Sequence, residues 1–130
     1  MPLSLKELSP GHRFGPYEIT FSKEEARLYA AAVGGGEPHD YGGAMPPMAV
    51  VAAGLSKLIS DLGLGAGTVH AGQEVQFRRA VHAGERISAH AELVSNSVRR
   101  DARFATVATE FKDAAGLTVA TASSTVIVPA

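Results

Sequence analysis

The sequence predicts an α+β domain in which a strongly curved antiparallel sheet wraps around one central, buried helix. Two observations predict it. Met48 to Gly63 is apolar nearly all round, and from Thr68 onward the chain changes to period two in four long segments joined by turn-length gaps. A helix without a polar face must be covered, and a sheet with one apolar face must cover something, so the two elements satisfy each other. A chain of 130 residues predicts one domain spanning all of it, 1–130.

The elements follow in order. Pro2 to Pro16 reads as loop, with Pro and Gly at both ends of a weak Leu3, Leu5, Leu8 pattern. Tyr17 to Phe21 alternates apolar and polar residues and predicts a short strand. Ser22 opens a helix. Its hydroxyl caps the first turn while Glu25 reaches back, and Phe21 before the cap is placed to pack on Ala26. The helix runs through Leu28, Tyr29 and Ala32 and stops at Gly34, Gly35 and Gly36. Gly34 to Pro47 is irregular and rich in Gly and Pro, a length that in a small domain points to function.

In Met48 to Gly63, Val50, Val51, Leu55, Leu58, Ile59 and Leu62 cover much of the circumference, and the polar positions come late. Val69 to Arg78, Arg86 to Val98, Phe104 to Lys112 and Leu117 to Val128 read as strands. Ile87, Ala89, Ala91 and Leu93 line one face of the second, with Ser88, His90 and Glu92 on the other. Turns at Ala83 to Glu85, Arg99 to Ala102 and Asp113 to Gly116 predict a four-strand antiparallel meander. Its uncovered edge favours pairing with a second subunit.

Composition excludes several classes. Twelve basic and thirteen acidic side chains leave a net charge of −1, without the concentrated basic face that nucleic acid requires. Arg99, Arg100 and Arg103 beside Asp101 read as a solvated hairpin tip. The absence of cysteine removes disulfides, thiol nucleophiles and thiolate metal sites, and fits a cytoplasmic protein. Met1 to Ser9 lacks a signal-peptide core, and the apolar stretch Met45 to Leu55 falls short of the roughly 20 residues that span a bilayer. Five scattered histidines predict no metal site.

The densest group of reactive side chains lies on the irregular loop, at His39, Asp40 and Tyr41. Adjacent residues in an extended segment point apart, whereas Glu37 and His39, two apart, share a side and can face one cleft. The alternative is a polar loop at a surface or subunit contact. Gly72 inside a strand predicts a bulge or the close approach of a backbone or ligand. Glu74, Glu92 and Glu110 lie on separate strands, facing solvent or a partner, and Asp61 sits at the far end of the buried helix.

Gly67-Thr-Val-His-Ala-Gly-Gln-Glu-Val-Gln-Phe-Arg-Arg-Ala-Val-His-Ala-Gly-Glu-Arg-Ile87 resembles MaoC-like hydratases and dehydratases, in particular the half-domains called FAS1-like dehydratase domains. Ala44-Met-Pro-Pro-Met48, leading into the buried helix, is similar too. The resemblance implies the hot dog fold and chemistry on acyl thioesters of coenzyme A or acyl carrier protein, with no further cofactor. In active members an Asp and a His in a pattern like G-D-x-N-P-[LI]-H add water to, or remove it from, the acyl chain. Here the loop reads Gly34-Gly-Gly-Glu-Pro-His-Asp40. Anchored on Pro38, Gly35 stands at the Asp, Glu37 at the Asn and Asp40 at the His; shifted by one, His39 meets the family His.

The catalytic candidates are therefore Glu37, His39 and Asp40. The resemblance places Tyr41, Met45, Pro47, Met48 and Ala49 beside the acyl channel, with backbone N–H groups at the helix start serving the thioester oxygen. It also places the strand of His70 and Gln73 along that channel. Two alternatives stay open: a non-catalytic subunit of a heteromeric hot dog dehydratase, and a thioesterase working from Glu37 or Asp40. A homodimer, or a heterodimer with another hot dog subunit, is the expected assembly.

Overall fold

The computed structural model describes residues 5–25, 27, 28, 47–62 and 68–129, and only the backbone at Pro47 and Met48. A short 3-10 turn, Leu5–Glu7, precedes strand β1, Arg13–Ile19. Helix α1 is Pro47–Leu62, and the remaining strands are β2 (Val69–Phe77), β3 (Ile87–Arg99), β4 (Ala102–Lys112) and β5 (Thr118–Pro129). No helix among the described residues is long and apolar enough to cross a membrane.

All pairings are antiparallel and the strand order is β1-β3-β4-β5-β2. This corrects the predicted four-strand meander. Only β3, β4 and β5 form one; β2 pairs with β5 at the far edge, and β1 takes the place beside β3. Period two tells which face a side chain takes, not which strand lies next to it.

The segment read as loop up to Pro16 also changes. β1 begins at Arg13 and passes through Gly15 and Pro16 by a register shift between Phe14 and Tyr17. Gly15 has φ +87°, and a Cβ there would lie 2.9 Å from the Ala89 carbonyl oxygen. Only glycine fits that approach. The Gly-Pro pair thus marks a bulge within the strand rather than its boundary.

The capping box forms as its spacing predicts: the Ser22 N–H donates to Glu25 at 3.2 Å and the Glu25 N–H donates to the Ser22 hydroxyl at 3.0 Å. Residues 23–25, 27 and 28 are helical; Ala26 and the residues after Leu28 in that predicted helix lie outside the described residues.

One face of the sheet packs on α1. Ile87, Ala89, Ala91 and Leu93 are all buried, as their alternation predicts. The first half of α1 (Ala49, Val50, Val51) joins Ile19, Phe21, Ile87, Phe111 and Val119. The second half (Leu58, Leu62) joins Leu5, Phe14, Leu93, Val107 and Val126. Each such large side chain withdrawn from water contributes about 1.5–3 kcal/mol before entropy is counted. The helix itself is less enclosed than its composition predicts, because Ala52, Ser56, Lys57, Ile59, Ser60 and Asp61 are exposed. A five-stranded sheet covers one side of it only.

Small residues set the spacing between the layers. A Cβ on Gly54 would lie 2.6 Å from Phe111 Cε1, inside van der Waals contact. At the other end of the sheet, Asn96 donates to the carbonyls of Leu5 and Leu8 at 2.8 and 2.9 Å and accepts from Arg103 Nη1 at 2.9 Å. Arg103 is therefore half-buried and bonded inward, not part of a solvated tip, whereas Arg99 and Arg100 are exposed.

Candidate functional site

Of the side chains the sequence brings forward, Glu37, His39, Asp40, Tyr41 and Met45 lie outside the described residues, as do the side chains of Pro47 and Met48. The described part consists of the first turn of α1 and the first half of β2.

α1 begins at Pro47, where a missing N–H costs nothing because the first turn has no intrahelical acceptor for it. No acidic residue stands in that turn, so the positive end of the helix dipole meets no carboxylate of its own. The Ala49 side chain is 5% exposed and belongs to the core with Val50 and Val51.

On β2, the ladder to β5 sets His70 opposite Val126 and Gln73 opposite Ser124, with a register shift between His70 and Gly72. Gly72 thus marks a bulge, one of the two readings its position allows. No other backbone among the described residues approaches it, since a Cβ there would meet nothing within 4 Å. His70 is exposed and Gln73 half-buried, its Nε2 shielded from solvent.

The far end of α1 holds a pair that sequence reasoning missed. Tyr17 of β1 donates its hydroxyl to Asp61 Oδ2 at 2.6 Å. Burial first, then the accepting and charged Asp61, raises the phenol pKa, which keeps the hydroxyl a donor. The two residues are 44 apart in sequence, and no local pattern links them.

Glu74, Glu92 and Glu110 share the face turned away from α1, around an open hollow of about 460 Å³ that also takes in Gln76, Thr121 and Ser123. Arg13 lies 3.5 Å from Glu92. The Thr118 hydroxyl, at 2.8 Å, and Lys112 hold the Glu110 carboxyl below its ordinary pKa. His90 bonds the Ser88 hydroxyl at 3.0 Å on that same face, and His82 is exposed in the turn before β3. These acids are placed as a polar outer surface. No group of three or more His, Cys, Asp or Glu among the described residues converges on a metal position.

The family model for the FAS1-like, dehydratase domain region matches residues 9–122. Among solved structures, the chain is similar to the MaoC-like dehydratase from Rhodospirillum rubrum, with TM-score 0.76 and 18% identity, covering 96% of this chain and 95% of that one. The R-hydratase PhaJ1 from Pseudomonas aeruginosa gives TM-score 0.78 and 22% identity over 98% and 86%. The HadBC (3R-hydroxyacyl-ACP dehydratase) complex from Mycobacterium tuberculosis gives 0.69 and 19% over 91% and 96%. No curated protein matches. At these identities the likeness establishes the fold, which is the α+β hot dog fold.

Proposed function

Because the chain belongs to the FAS1-like dehydratase region family, we propose that it handles acyl thioesters of coenzyme A or acyl carrier protein in hydratase or dehydratase chemistry. The observation that carries this reading is the family match over residues 9–122.

The reaction needs one group to take a proton, another to deliver one, and donors for the enolate oxygen that develops between. In this reading the start of α1 supplies the donors through its first N–H groups, Pro47 having none. Glu37 and His39, two apart in sequence, take the acid–base roles, with Asp40 as the alternative partner. The acyl group lies beside Tyr41, Met45 and Met48.

A specific observation favours a second reading. Gly35 and Asp40 stand where the resemblance calls for Asp and His, and the structural neighbours include the HadBC and ChsH1-ChsH2 complexes from Mycobacterium tuberculosis. In this reading the chain is the non-catalytic subunit that shapes the acyl channel of a catalytic hot dog partner. β2 supports the docking of a second subunit: among the described residues it is an edge strand bonded only to β5, with Val69 and Phe77 55% and 41% exposed.

The test offers the purified protein short and medium 2-enoyl-CoAs and follows the conjugated thioester by absorbance. Hydration well above the uncatalysed rate, lost by at least a hundredfold in Glu37→Ala or His39→Ala, supports the first reading. Release of free thiol without hydration assigns a thioesterase. Neither reaction, with turnover appearing only when a second hot dog subunit is added, assigns the partner role.

A further inference from the structure

The bulge in β2 has a chemical consequence. In a regular strand, residues three apart point to opposite faces. Here the register shift sets His70 opposite Val126 and Gln73 opposite Ser124. Val126 and Ser124 are 7% and 5% exposed and both face α1. Side chains directly opposite in a ladder share a face, so His70 and Gln73 both rise on the α1 side of the sheet. Their partners are two residues apart on β5, which separates the pair by about 7 Å along the strand.

Gln73 is half-buried, its Nε2 is shielded, and no acceptor among the described residues lies within hydrogen-bond distance of it. Its surroundings are Val75 on its own strand and, across the ladder, Ser124, the one buried polar side chain among the described residues. A buried donor is almost always bonded in a folded protein, so an unpaired one asks for an acceptor that the described residues do not supply. The donor is neutral, and the side chains next to it on its face, Val75 and Ser124, carry no charge, which suits a neutral carbonyl oxygen better than an anion.

We propose that the bulged start of β2 is a carbonyl-binding subsite, in which Gln73 Nε2 donates to an uncharged C=O of the thioester ligand and His70 flanks the same group from the solvent side. The inference rests on the thioester reading and names two positioning residues for it. The acceptor is the thioester carbonyl or an amide oxygen of the pantetheine arm.

The test is calorimetric binding of butyryl-CoA and of free coenzyme A, with the melting temperature of the unliganded protein measured in parallel. Gln73→Met keeps length and removes the donor. It is expected to melt at or above the wild-type temperature while binding butyryl-CoA about tenfold more weakly. His70→Ala is expected to melt unchanged and bind about threefold more weakly. Weakening for both ligands assigns a pantetheine amide; weakening for butyryl-CoA alone assigns the thioester carbonyl. A lower melting temperature or failure to fold in Gln73→Met makes the amide structural and overturns the subsite. So does wild-type affinity in that variant. If the wild type binds neither ligand, the thioester reading itself falls, and the subsite with it.

Discussion

Gly54 and Phe111 meet where one added carbon decides a sign. Alanine normally improves a helix over glycine by about 1 kcal/mol. Here the added Cβ would lie 2.6 and 2.9 Å from two carbons of a ring that is 1% exposed and has nowhere to move. Overpacking of this kind costs about 1–3 kcal/mol and outweighs the propensity gain. Gly54→Ala is expected to lower the melting temperature by about 4 °C. Adding Phe111→Leu is expected to remove part of that loss, a coupling that a double-mutant cycle reads directly. What the sequence revealed at this scale depended on distance along the chain. The Ser22 and Glu25 cap was legible because its partners are three residues apart. Tyr17 and Asp61 were not, since only the packed fold joins them. Gln73 and His70 were named as candidates, but their common face was hidden. The bulge changes the parity on which a period-two reading relies, and Gly72 was its only trace.

At the scale of elements, an ion cluster ties the chain between β2 and β3 to the β4–β5 turn. Arg79 bonds Glu85, and donates to Asp113 at 3.0 Å and to its neighbour's carbonyl at Ala80 at 2.8 Å. Asp113 also accepts from the N–H groups of Ala115 and Leu117 at 3.0 and 2.9 Å, shaping the turn. Arg79 holds the Glu85 carboxyl below its ordinary pKa. The Leu117 N–H, then Arg79, does the same for Asp113. A carboxyl whose pKa is lower in the folded than in the unfolded chain adds stability above its unfolded value, and that contribution disappears as pH falls through the folded one. With unfolded values of about 4.3 and 3.9, the contribution is complete near neutrality and is lost in the acid range below about pH 4. Arg79→Met is expected to lower the melting temperature at pH 7 by a few degrees and to shrink the difference between pH 7 and pH 3. An unchanged pH profile in the variant would show that the cluster adds nothing. Element boundaries were legible to within a few residues for α1 and for β2 to β5. β1 was shortened in the reading because Gly15 and Pro16 look like punctuation when their neighbours are unknown. Arg103 was misplaced by its charge, although counting by twos back from Ala105 puts it on the inner face.

For the whole molecule, alternation and the apolar helix made the fold class legible, while the strand order was not. Among the described residues β1 and β2 are the two edges of the sheet, and the larger exposed apolar side chains at the β2 edge are Val69 and Phe77. The candidate site was legible only as a concentration of reactive residues on the loop and the family resemblance that surrounds it. Which of Glu37, His39 and Asp40 act together is a question for the kinetics of single variants.

The strand order also sets a timetable for isotope exchange. β3, β4 and β5 are contiguous in sequence and central in the sheet, so their amides open only with most of the domain. Among the described residues β2 has one bonded neighbour, and along a nine-residue edge every second amide points away from it. Those outward amides are expected to take up deuterium within seconds in dilute protein and to slow by orders of magnitude when another subunit's strand is laid beside them. Peptide-level exchange across a concentration series, and again after mixing with a candidate partner, therefore measures occupancy of that edge without any substrate. Protection of β2 equal to that of β4 at the lowest concentration would instead mean that the edge is closed from within the chain.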